Sequence, residues 1–113
     1  ALLVGLGTTA SAQNFAGIYN GSFDGSVTDM SCNLDFQGMD GGPFVITDTT
    51  FFTVEGQCDL ENPTNLRGID GVLYDATCYS EGMEDFSRML FLRDQSGVLI
   101  HHRGYTQLFR PCE

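Results

Sequence analysis

The chain contains no lysine and no tryptophan, only two histidines and only three prolines in 113 residues. Without lysine, every basic side chain is an arginine: Arg67, Arg88, Arg93, Arg103 and Arg110. Fifteen acids oppose these five, leaving a formal charge of -10. Such a charge repels phosphate backbones and anionic lipid heads, which argues against nucleic-acid and membrane-surface roles and in favour of a basic partner. No apolar run approaches the ~20 residues that a membrane span needs. The two histidines, His101 and His102, are neighbours. On a strand they point to opposite faces, so at most one enters any given site. There is no Gly-x-Ser-x-Gly elbow, phosphate loop or dinucleotide fingerprint. Asp24 to Asp35 starts like a calcium loop, but it has Asp29 where an EF-hand needs Gly and Asp35 where it needs Glu. No catalytic, cofactor-binding or metal-binding residue is nominated.

Helical periodicity is also missing from every window longer than two turns, whereas alternation with a period of two recurs. Val72, Tyr74, Ala76 and Cys78 share one side of a run whose other side carries Leu73, Asp75 and Thr77, the pattern of a strand with one dry face. Arg88 to Arg93 is apolar on both sides and predicts a central strand. Phe15 to Phe23 reads as the opening strand, Met30 to Phe36 as a second after a turn at Asp24-Gly25, and Phe44 to Asp48 and Phe51 to Glu55 as a pair. Glu61 to Asn65 reads as a loop, because Pro63 cannot donate to a ladder. Val98 to Arg103 and Tyr105 to Phe109, broken by Gly104, complete about eight short strands. Hydrophobic residues make up 42% of the chain, nine Phe and four Tyr among them, which is enough for a core. The expected fold is all-β: a single small antiparallel barrel, with a two-sheet sandwich as second choice.

Residues 1–12, ALLVGLGTTASA, read as the C-terminal part of a secretory signal peptide, with cleavage after Ala12 and a single domain over 13–113. The four cysteines, Cys32, Cys58, Cys78 and Cys112, then imply two disulfides, since none stands at the close spacing of a zinc ribbon. Three connectivities exist. An antiparallel pairing of the strand ending near Leu60 with Val72 to Cys78 favours Cys58 to Cys78, leaving Cys32 to Cys112. The expected address is periplasmic or extracellular.

The segment Gly17-Ile18-Tyr19, within an aromatic and glycine alternation, resembles the first strand of lipocalin-like barrels. Cys58-Asp59-Leu60, Leu73-Tyr74-Asp75 before Cys78, Glu81-Gly82 and the closing Arg110-Pro111-Cys112 together resemble small exported bacterial proteins of no assigned function. That resemblance implies an exported address and supplies no catalytic residues.

Three functional readings are open. The first is a non-enzymatic binding or inhibitor-type module whose acidic surface meets a basic protein, such as a cationic enzyme of the lysozyme kind. Its candidate partner-binding loop joins the two central runs, with Tyr79, Met83 and Phe86 as apolar anchors among Glu81, Glu84 and Asp85. The second is a carrier for a small apolar ligand inside the barrel, which an interior cavity would favour. The third, ranked last, is a hydrolytic enzyme using clustered carboxylates.

Overall fold

A computed structural model of the chain describes residues 15–21, 32–39 and 42–112. The strands are β1 (Gly17–Gly21), β2 (Phe44–Ile46), β3 (Thr50–Thr53), β4 (Gly56–Asn65), β5 (Gly71–Ser80), β6 (Met83–Asp94), β7 (Gly97–His102) and β8 (Tyr105–Pro111). Each pairs antiparallel with its neighbour in sequence, and β1 pairs with β8 to close a barrel. Closure pairs each strand on both sides over the body of the barrel, which is how a meander of short strands limits edge-to-edge association.

The alternation read from the sequence decides which side chains enter. Val72, Tyr74 and Ala76 of β5 are buried, as are Met89 and Phe91 of β6 and Val98 and Ile100 of β7. Leu90 and Leu92, the other side of the apolar β6 run, are half-buried on the outer wall. A string of aromatic rings fills the barrel: Phe15 to Phe91 at 5.7 Å, Phe91 to Phe51 at 6.0 Å, Phe51 to Phe109 at 5.6 Å and Phe109 to Phe44 at 4.9 Å. The last three contacts are edge-to-face, the arrangement ring quadrupoles favour.

The two ends differ. At the end holding the start of β1, Phe15 is buried and the Arg93 guanidinium lies 4.6 Å from its ring centroid. The Tyr19 hydroxyl donates to the Phe15 carbonyl at 2.8 Å. Burial pushes the Tyr19 phenol up, an effect that the Arg93 charge partly offsets. These groups cover that end, and the opposite end carries the β3–β4, β5–β6 and β7–β8 turns.

Three expectations are corrected. Met30 to Phe36 is not a strand over its described part. Leu34–Phe36 forms a 3₁₀ turn in which the Asn33 side chain accepts from the Asp35 N–H, and Gly38 turns the chain with φ 86°. Glu61 to Asn65 is not a loop but the second half of β4. The ladder register shifts between Glu61 and Thr64, so Pro63 sits in a bulge where no ladder bond is asked of it. The segment Tyr79 to Phe86 is likewise not a loop. β5 and β6 pair continuously up to Ser80 and Met83, leaving a two-residue turn at Glu81-Gly82. Both residues have positive φ, 52° and 80°, as the tight hairpin turn that matches strand twist requires. The signal-like segment 1–12, the Asp24-Gly25 turn, Phe23 and Met30 lie outside the described residues.

Candidate functional site

The β5–β6 hairpin outruns its neighbour. Leu90 is the first β6 residue paired with β7, through His101, so among the described residues Met83 to Met89 pair only with β5. This arm stands above the barrel mouth. It is braced from the β7–β8 turn by Arg103, which pairs with the Asp85 carboxylate and donates to the Phe86 carbonyl at 3.2 Å.

Register sorts the arm's residues. Gln57, Tyr79 and Glu84 stand abreast across β4, β5 and β6. Asp59, Thr77 and Phe86 form the next row, and Glu61, Asp75 and Arg88 the third. All nine face outward, because the residues alternating with them on β4 and β5 (Cys58, Leu60, Ala76) turn into the barrel. Within this grid Asp75 accepts from Asn62 at 2.8 Å and from Arg88 at 3.2 Å. Asp59 accepts from Gln57 at 3.2 Å. Partial burial, and then the carboxylates of Glu84, Asp59 and Glu61, push the Tyr79 phenol above its ordinary value. Phe86 is 63% exposed and Tyr79 41%.

Of the six residues nominated from the sequence, the structure therefore brings Tyr79, Glu84 and Phe86 onto one face. Met83 and Asp85 fall on the other face of the arm, and Glu81 sits in the turn. Asp59 and Glu61 were missed as partners. Their period-2 spacing with Gln57 was visible, but only the β4–β5 register sets them beside Tyr79.

A second feature occupies the mouth. Phe44, Phe51, Ile100 and Phe109 form the floor of a cavity of about 210 Å³, with Thr53, Val54, His102, Tyr105 and Gln107 around it. His102 and Tyr105 are register partners flanking the Arg103-Gly104 turn, and both lie on the inward side. His102 Nδ1 is buried and has no hydrogen-bond partner. His101, on the opposite side of the same strand, is exposed and its Nδ1 lies 2.6 Å from Thr106 Oγ1. Among the described residues no three His, Cys, Asp or Glu side chains converge in a way that would hold a metal ion.

The Cys58–Cys78 disulfide lies between the first two rows of the grid, on the inward side of β4 and β5. Cys58 bonds Cys78 across the β4–β5 ladder, and Cys32 bonds Cys112. No family model, no curated protein and no solved structure matches the chain.

Proposed function

We propose that the protein is an exported, non-enzymatic binding module that takes a basic protein on the outer face of β4, β5 and β6. The observation that carries this reading is the cross-strand grid, in which Tyr79 and Phe86 stand among Asp59, Glu61 and Glu84. Exposed aromatic side chains are the usual anchors of a binding surface, and acids around them suit Arg and Lys groups. A partner's guanidinium can sit over the Phe86 or Tyr79 ring while meeting a carboxylate, combining a cation–π contact with an ion pair. The net charge of -10 would steer such a partner inward and speed the encounter. An exported address is supported by the signal-like residues 1–12 and the two disulfides.

The test is binding of the oxidised protein to a panel of cationic proteins, lysozyme first, by surface plasmon resonance. Phe86→Ala and Tyr79→Ala are expected to weaken binding at least tenfold, mainly through faster dissociation. Asp59→Asn with Glu61→Gln and Glu84→Gln should slow association and flatten its salt dependence. If no cationic protein binds, or if all these variants bind like the parent, the proposal fails.

A further inference from the structure

We infer that the barrel mouth is a second, separate binding site, for a small neutral aromatic molecule carrying one hydroxyl, of the size of a phenol. Volume sets the scale. A cavity of about 150 Å³ lined by apolar side chains holds benzene, and this one is about 210 Å³. The excess corresponds to about two water-sized groups, at roughly 30 Å³ each, which admits a ring substituent or two and no second ring.

Wall chemistry selects the class. The floor is three phenylalanine rings and Ile100, and the rings already pack edge-to-face with one another, as Phe44 with Phe109 at 4.9 Å and Phe51 with Phe109 at 5.6 Å. An aromatic occupant extends that arrangement by one ring. The polar lining comes from Thr53 on β3 and from His102, Tyr105 and Gln107 on β7 and β8, and one of these, His102, has a buried ring nitrogen with no hydrogen-bond partner. Such an atom is costly to leave unpaired. A half-turn of the imidazole about Cβ–Cγ exchanges Nδ1 with Cδ2 and carries the nitrogen to the opposite edge of the ring, where an occupant can meet it. Burial favours the neutral ring, which can accept a hydroxyl proton. The groups around it are Arg103 and His101 on β7 and its turn, Tyr105 on β8 and Asp85 on β6. Arg103 is already engaged by Asp85. With no uncommitted cation there and a net charge of -10, an anionic ligand is disfavoured.

The grid of the proposed partner surface faces outward, while the cavity faces inward, so the two sites fail or stand independently. The experiment is a calorimetric titration of the oxidised protein with p-cresol and, in parallel, toluene, which has the same ring and methyl group without the hydroxyl. p-Cresol is expected to bind about tenfold more tightly. His102→Leu should still take up toluene, showing an intact cavity, and should lose the preference for p-cresol. As a check that needs no variant, the His102 ring nitrogens, followed by long-range ¹H–¹⁵N correlation in the parent protein, should shift on adding p-cresol and stay fixed on adding toluene. Absence of binding by both compounds, an unchanged preference in His102→Leu, or ring nitrogens that do not respond would each overturn the inference.

Discussion

His102 is the side chain whose surroundings make the sharpest demand on pH. Burial first, and the neighbouring charges of Arg103 and His101 second, hold its imidazole below the ordinary value, with Asp85 opposing them. In the unfolded chain the ring takes its proton near pH ~6.5, whereas in the folded barrel it waits for a lower pH. Between those two points the unfolded state binds more protons, so stability must fall as pH falls through that window. Replacing His102 with Gln removes this contribution while keeping a polar side chain at the mouth. The comparison to make is the unfolding midpoint of parent and His102→Gln from pH 7.5 down to 5. The parent should lose stability relative to the variant as acid is added. Carboxylate titration acts equally on both proteins, so two parallel curves would contradict the burial assigned to His102.

At the scale of strands and turns, β7 approaches β8 so closely that a side chain at its first residue has no space. A Cβ on Gly97, where φ is 150°, would lie 2.1 Å from the Phe109 carbonyl oxygen and 3.1 Å from Arg110 Cα. Gly104 also has positive φ, 84°, but a Cβ there meets nothing within 4 Å. Gly104→Ala should therefore cost only the backbone strain of about 1 to 2 kcal/mol. Gly97→Ala should cost about 3 kcal/mol or more, because overpacking adds to strain. Urea unfolding checks this, and equal costs would refute the close approach. The same scale shows what could be read from residues alone. β5 was legible because its dry face is uninterrupted, and β7 and β8 because Gly104 divides two alternating runs. Met30 to Phe36 alternates just as well, yet its described part turns, because the Asn33 side chain and a left-handed Gly38 give the backbone local partners that outcompete a ladder. The arm was misread for the opposite reason. Glu84 and Asp85 give it no dry face, and it is strand because each of its residues has a partner on β5 and Glu81-Gly82 forms the tight turn. The outer grid was out of reach altogether, since it depends on the register of three strands, one of them bulged between Glu61 and Thr64.

For the whole molecule, the expectation of a closed barrel of about eight strands holds, and so does the favoured cysteine pairing. The barrel's seam is its longest-range pairing: β1 meets β8 at Tyr19 with Pro111, Asn20 with Arg110 and Gly21 with Phe109. The Cys112 N–H then donates to the Ile18 carbonyl at 2.8 Å, and the disulfide from Cys112 to Cys32 holds the chain end at this point. Its partners are 80 residues apart, against 20 for Cys58 and Cys78. Loop-closure entropy then assigns the seam staple between about 4 and 5 kcal/mol and the hairpin staple about 3 kcal/mol. Set against total stabilities of about 5 to 15 kcal/mol, losing both should unfold most of the population. The two losses should also differ in place. In Cys32→Ser/Cys112→Ser, amide exchange should accelerate first at Ile18, Tyr19, Phe109 and Cys112's neighbours along β1 and β8, while the long β5–β6 pairing keeps its protection. In Cys58→Ser/Cys78→Ser the smaller loss should fall on β4 and β5 instead. Uniform acceleration in both variants would mean that the barrel opens only as one unit, and that neither staple guards a particular seam.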